Sequence, residues 1–109
     1  MNDDELLTLA AKAAEIKAQY SDNYGDFSIG EPYSRDEARW NPLKFDGDAF
    51  RLMTLLRIRL MYPDFEACGD SVLAMANETK HVAEQPLTAE GYRRVIVLLA
   101  AKLGEEKGS

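Results

Sequence analysis

Asp46 and Asp48 are the side chains best placed in this sequence to bind a cation together. Carboxylate oxygens are the ligands that Mg²⁺ and Ca²⁺ prefer, and the amide of Asn41 lies shortly before them. An oxygen-only site needs more ligands, and the spacing of an EF-hand loop is absent. The same acidic turn opens a predicted helix, with Asp46 as its N-cap and Asp48 near the positive end of the helix dipole. We therefore predict structural roles and no metal or other cofactor, and keep a small metal-dependent hydrolase as the second alternative function.

The residue types that most often act as bases and nucleophiles give little support for catalysis. His81 is the only histidine, and no cysteine or serine stands near it at a motif spacing. Cys68 is the only cysteine and has no neighbouring basic cluster to activate its thiolate. Phosphate-binding glycine loops, Gly-x-Ser-x-Gly and His-Glu-x-x-His motifs are missing. The sequence predicts no catalytic residues and a protein that is not an enzyme.

Trp40 and the arginines are the residues that bear on nucleic-acid binding. Trp40, the only tryptophan, is a candidate to stack on a base or anchor a partner, although a core position is favoured. Five of the arginines form two local groups, which we expect to be solvated ion pairs: Arg51, Arg57, Arg59, Arg93 and Arg94. With a net charge of -6, general attraction to phosphate backbones is disfavoured. Nucleic-acid association is therefore the alternative function, with Trp40 or Tyr24 as stacking platforms.

Three helices are predicted from one opening pattern, in which a capping residue lies between two apolar residues that pack across the helix start. The pattern occurs at Met1-Asn2 with Leu6, at Phe45-Asp46 with Phe50, and at Leu87-Thr88 with Tyr92. The helices should span about 3–14, 47–56 and 89–103, the last ended by Gly104. Val97 and Leu98 widen the apolar stripe of the last helix, which predicts deep burial or a partner contact.

Alternating apolar residues between the helices predict strands. Residues 58–62 form one strand ended by Pro63, and residues 72–76 and 80–84 form an antiparallel hairpin around 77–79. Residues 16–20 and 27–29 also alternate, and Trp40 should follow a strand because Pro42 keeps Asn41 extended. The predicted fold is α+β, a small mainly antiparallel sheet packed by three helices in the order helix, strands, helix, strands, helix. One domain over residues 1–109 is expected.

The expected location is a reducing cytoplasm. The acidic start of the chain is unlike a signal peptide, no lipidation motif follows, and a single cysteine allows no internal disulfide. The longest apolar run, 95–101, is far below the roughly 20 residues of a membrane-spanning helix.

Three segments of the sequence stand out, and Gly104 follows the last of them: ELLTLAAKAA at 5–14, WNPLKFDGDAFRLMTLL at 40–56 and YRRVI at 92–96. They resemble a family of small, largely uncharacterised bacteriophage and prophage proteins with the patterns ELLxLAAKAAGI, WNPLxDDGDALRLAVKL and YRRAIVRAAAEIG. The layout is also similar to α/β/α sandwich domains of other small phage proteins, an analogy of fold alone. The resemblance implies an accessory phage protein that works in the cytoplasm of the bacterial host rather than an essential virion part.

The chain departs from the family pattern at three places. Lys44-Phe45 replaces a polar-acidic pair and removes one carboxylate from the acidic turn, 54–56 replaces a lysine-containing segment, and Glu15 replaces the glycine that ends the first helix.

The primary functional prediction is a non-enzymatic protein that binds a host protein, as an inhibitor of a defence or regulatory system. Aromatic residues among turn residues are typical of contact surfaces, which points to the 22–26 loop and the segment around Trp40. The predicted partner-binding residues are Tyr24, Tyr33, Trp40, Asn41, Asp46 and Asp48. A homodimer is left open, and neither a membrane nor nucleic acid is the expected partner.

Overall fold

The structure is a computed structural model that describes residues 2–22, 24–30, 33–61, 71–76, 82–86 and 88–107. Its elements, in chain order, are α1 (Asp3–Ala13), β1 (Ala18–Ser21), β2 (Asp26–Ile29), β3 (Ala38–Arg39), α2 (Asp46–Leu56), β4 (Ile58–Met61), β5 (Ser71–Ala76), β6 (Val82–Pro86) and α3 (Ala89–Lys107). The predicted α+β class and the order of helices and strands are confirmed. Within these ranges, no helix is both long and apolar enough to cross a bilayer.

Among the described residues, the strands form two antiparallel sheets of three strands each, β1-β2-β3 and β4-β5-β6, rather than one sheet. Each sheet is built from strands that are neighbours in sequence, and α2 separates the two sets. The predicted pairing of the last two strands is confirmed, with Val72 opposite Gln85 and Ala74 opposite Ala83. The predicted turn at 77–79, His81, Cys68 and the Tyr62-Pro63 strand end lie outside the described residues.

Helix α3 supplies much of the hydrophobic core. Val95, Val97 and Leu99 are fully buried, and they join a cluster that includes Leu7 of α1, Leu52 of α2 and Val72 of β5. The wide apolar stripe of α3 is therefore explained by burial at Val97, while Leu98 is only partly buried.

Both ends of α1 follow from local chemistry. Asn2 is the N-cap, as predicted, and its side-chain oxygen accepts a hydrogen bond from Glu5 N at 2.8 Å. After the helix, Glu15 has a left-handed backbone with φ 58°, and Ile16 N donates to Ala11 O at 2.9 Å. This is the position that glycine occupies in many helix C-termini and in the phage pattern. Glu15 therefore adopts a backbone conformation that is energetically unfavourable for a residue with a side chain.

The structure corrects two predicted helix boundaries. Gly104 does not end α3, which continues to Lys107. A side chain at Gly104 would overlap the backbone of Leu9, so this glycine permits close packing of α1 and α3. Asp46 is not an N-cap, since α2 begins at Asp46 and its N-cap is Phe45, which makes no side-chain capping bond.

Candidate functional site

The predicted contact residues separate into exposed and buried ones. Tyr24 and Tyr33 are 41% and 73% exposed. Trp40 is 2% exposed and follows β3, with its backbone N–H bonded to Phe27 O at 2.9 Å. Asn41 is also buried. The structure therefore presents the two tyrosines at the surface and places Trp40 in the core, the favoured prediction for that residue.

A buried carboxylate, Glu37, lies behind the two tyrosines. It is 7% exposed, and its Oε2 accepts hydrogen bonds from Ser21 Oγ at 3.0 Å and Ser28 Oγ at 2.9 Å. A buried carboxylate is tolerated only when such bonds replace its lost hydration. Since Ser21 is on β1 and Ser28 on β2, Glu37 joins the loop before β3 to both strands.

Glu37 also positions both tyrosines. Its Oε1 accepts a hydrogen bond from Tyr33 N at 3.2 Å, and its carbonyl oxygen accepts one from Tyr24 Oη at 3.3 Å. Tyr33 has a left-handed backbone with φ 59°, a conformation that needs support from its surroundings. We call the exposed side chains of Tyr24 and Tyr33 the tyrosine surface. Buried Glu37 thus connects the loop that carries Tyr24 to the loop that carries Tyr33.

A second buried carboxylate, Asp26, connects β2 to the segment that follows β3. Asp26 Oδ1 accepts from Phe27 N at 2.8 Å and from Asn41 Nδ2 at 2.9 Å, while Oδ2 accepts from Arg39 Nε at 3.0 Å. Lys44 Nζ lies 3.7 Å from Oδ2. Burial by itself raises the pKa of Asp26, but these hydrogen bonds and the Lys44 charge outweigh it and hold the pKa below its ordinary value. Asp26 is therefore an ionised structural anchor.

The two aspartates of the acidic turn are engaged in separate contacts. Asp48 Oδ2 accepts a hydrogen bond from Asn41 N at 2.9 Å, and Asp46 Oδ1 is 2.7 Å from Arg93 Nη1. The Asn41 side chain in turn accepts from Leu43 N at 3.0 Å. The Asp46–Arg93 contact joins the start of α2 to α3, and the contacts of Asn41 hold the turn before α2 together. In the described part of the chain, no three His, Cys, Asp or Glu side chains form a group suited to a metal.

A polar cleft of about 300 Å³ lies where the starts of α1 and α3 approach the Asp26 anchor. Its lining includes two basic side chains, and each has an acidic partner there. Arg94 Nη1 is 3.1 Å from Asp3 Oδ1, and Lys44 is paired with Asp26. Both basic side chains of the cleft are therefore paired with carboxylates of its own wall, which supports a structural role.

The sequence prediction missed Glu37 and Asp26 as organising residues. In the sequence, Glu37 ends a charged run over 35–37 and Asp26 ends the 22–26 loop, and both settings are typical of loop residues. One signal was present: Ser21 and Ser28 place hydroxyl groups in strands that should otherwise pack apolar side chains. Hydroxyl donors inside a sheet require an acceptor, and a nearby glutamate is a suitable one.

Comparison of the chain with family models, with curated proteins and with solved structures found no match. The resemblance to phage and prophage proteins stays a prediction from the quoted sequence segments.

Proposed function

We propose that this chain is a binding protein that recognises a host protein through the tyrosine surface, as an accessory protein of a bacteriophage or prophage in the bacterial cytoplasm. The observation that carries the proposal is the link of both tyrosines to buried Glu37. The phage setting is supported by the sequence resemblance alone.

Tyrosine side chains suit this role for a physical reason. A tyrosine offers a large apolar ring and a polar hydroxyl while losing few rotatable bonds on binding, and such residues are enriched in interfaces. Glu37 holds the Tyr33 backbone and the Tyr24 hydroxyl before any partner arrives. Preorganisation of this kind lowers the entropic cost of association.

The charges near the tyrosine surface favour a protein over nucleic acid as the partner. Asp22, Arg35 and Asp36 lie exposed beside the tyrosine-bearing segments, so acidic side chains outnumber basic ones there. Phosphates would be repelled by these carboxylates and by the net charge of -6. With Trp40 buried, the stacking platform of the nucleic-acid alternative is reduced to Tyr24.

The test is affinity purification of the tagged protein from a bacterial host lysate, with nuclease treatment and moderate salt, followed by mass spectrometry. The wild type should retain a stoichiometric protein partner, and a Tyr24→Ala/Tyr33→Ala double variant should lose it. Each hot-spot tyrosine is expected to contribute at least about tenfold in affinity.

Tyr20→Ala is the matched control. Tyr20 is exposed, but it precedes Ser21 on β1 and therefore faces the side of the sheet away from Glu37. This control should keep the partner. A partner that survives in the double variant, or a wild type that retains no protein, would contradict the proposal.

A further inference from the structure

Tyr33 has a strained backbone conformation that no helix end explains. Among the described residues, three residues other than glycine have a positive φ: Glu15, Tyr33 and Arg57. Glu15 follows α1 and Arg57 is the C-cap of α2, and a left-handed residue is a common way to end a helix. Tyr33 lies instead between β2 and β3, with φ 59°. For a bulky side chain this conformation is an outlier, and such outliers are concentrated at functional sites.

The backbone at Gly30 closes the loop that carries Tyr33. Gly30 directly follows β2 and has φ 89°. A Cβ atom at this position would overlap the backbone carbonyl of Asp36, so the two ends of the loop are in direct contact. Glycine allows this approach because it lacks a Cβ atom and adopts a positive φ without strain. The contact returns the chain to the sheet immediately before Glu37, the residue that binds Tyr33 N.

A series of side-chain hydrogen bonds holds the Glu37 carboxylate on the sheet. Gln19 Nε2 donates to Gly30 O at 3.3 Å and to Ser28 Oγ at 3.1 Å. Ser28 is fully buried and donates in turn to Glu37 Oε2, while Glu37 Oε1 accepts from Tyr33 N. The Tyr33 backbone is therefore connected to β1 and β2 through polar side chains of the sheet.

We infer that Tyr33 is a rigid hot-spot residue of the tyrosine surface and that Gly30 is a positioning residue for it. The inference rests on the proposed function, because it assigns roles within the proposed binding surface. Glycine adopts the left-handed conformation at less cost than any other residue, yet the chain carries a tyrosine that is 73% exposed at this position. Local stability is thus given up where an exposed ring is presented, which is typical of residues that serve binding rather than folding.

The strain at Tyr33 is tested by comparing Tyr33→Gly with Tyr33→Ala in urea denaturation. Both variants lack the ring, but only Tyr33→Gly relieves the left-handed strain. The folding equilibrium constant should be larger for Tyr33→Gly than for Tyr33→Ala by about threefold or more. Tyr33→Gly should nevertheless lose the partner that the wild type retains in the affinity purification. An equal or lower stability of Tyr33→Gly, or retention of the partner by this variant, would overturn the inference.

The positioning role of Gly30 is tested by NMR measurement of amide hydrogen exchange, which requires no partner. In the wild type, the hydrogen bond to Glu37 should protect the amide of Tyr33, although this residue is exposed. Gly30→Ala should accelerate exchange of this amide by about tenfold or more, because it separates the loop from the sheet and breaks a hydrogen bond to a carboxylate.

Gly104→Ala is the matched control for Gly30→Ala. Its methyl group would also overlap backbone atoms, but those of Leu9, at the contact of α1 and α3. Gly104→Ala should therefore leave exchange of the Tyr33 amide within about twofold of the wild type. Circular dichroism verifies that both variants are folded. If Gly30→Ala does not fold, Gln19→Ala takes its place, and its loss of two neutral hydrogen bonds should accelerate the same exchange by about threefold or more.

Affinity purification of the two glycine variants completes the test. Gly30→Ala keeps both tyrosines but should lose the partner, whereas Gly104→Ala should keep it. Equal acceleration of Tyr33 exchange in the two variants, or a Gly30→Ala variant that keeps the partner, would overturn the inference. If the wild type retains no partner while the exchange results are as expected, the proposed function is contradicted and the positioning of Tyr33 by Gly30 is supported.

Discussion

Replacing Asp26 by alanine removes the anchor between β2 and the segment after β3. The variant loses the hydrogen bonds from Phe27 N–H and from the Asn41 side chain, and both donors remain buried. It also loses the contacts with Arg39 and Lys44. We expect the free energy of unfolding to fall substantially, since buried donors without acceptors keep the full cost of their desolvation.

The size of the effect follows from the exposure of each partner. Hydrogen bonds to a charged acceptor contribute about 1.5–3 kcal/mol each, and two of the donors are buried. The side chains of Arg39 and Lys44 are 42% and 59% exposed, so their pairs add at most about 1 kcal/mol together. The expected loss is about 3–7 kcal/mol, a large part of the stability of a typical domain.

Urea denaturation measures this loss, with Trp40 as the reporter. Trp40 is the only tryptophan and is buried, so its fluorescence should change when the chain unfolds. Asp22→Ala is the matched control, because Asp22 is an exposed aspartate close by in sequence, and its replacement should change stability by less than about 0.5 kcal/mol. If Asp26→Ala falls within about 1 kcal/mol of this control, the role assigned to Asp26 is refuted.

Three further predictions concern pH, helix packing and a helix end. The folded chain holds the pKa of Asp26 below its ordinary value. The ionised Asp26 therefore contributes its full stabilisation above about pH 4, and this stabilisation is lost as the pH falls through the folded pKa. The stability advantage of the wild type over Asp26→Asn should therefore shrink in urea titrations below about pH 4. Gly104→Ala should lower stability by about 1–3 kcal/mol in urea denaturation, since the new methyl group meets the Leu9 backbone. Gly47→Ala, an open position in α2, should instead raise it by about 0.5–1 kcal/mol. Glu15→Gly should raise the thermal midpoint, through a gain of about 1 kcal/mol from relief of the left-handed backbone; an unchanged or lower midpoint would contradict this reasoning.

The predictions that held were those set by neighbouring residues. The Asn2 cap depends on residues three apart in sequence, and so does the cap at Thr88, whose Oγ1 accepts from Gly91 N at 2.9 Å. Alternation over short runs likewise predicted the strands, and the dipeptide before Pro42 predicted that Trp40 follows a strand. The exposure of Tyr24 and Tyr33 agrees with their place among turn residues.

The features that the sequence did not reveal depend on contacts between distant segments. Glu37 contacts Ser21, which lies sixteen positions earlier in the sequence, and Asp46 contacts Arg93, which lies forty-seven positions later. Gly104 is a helix stop by local rules, but its contact with Leu9 makes it a packing residue inside α3. The division of the strands into two sheets has the same origin, because periodicity within a strand does not specify its neighbour.

Photo-crosslinking in the bacterial host tests the proposed tyrosine surface most directly. A photoreactive phenylalanine is placed at Tyr33, at Tyr24 and, as the control, at Lys12, which is exposed on α1. The proposal predicts an adduct with one host protein from both tyrosine positions and none from Lys12. Equal adducts from all three positions, or none from the tyrosines, would contradict it.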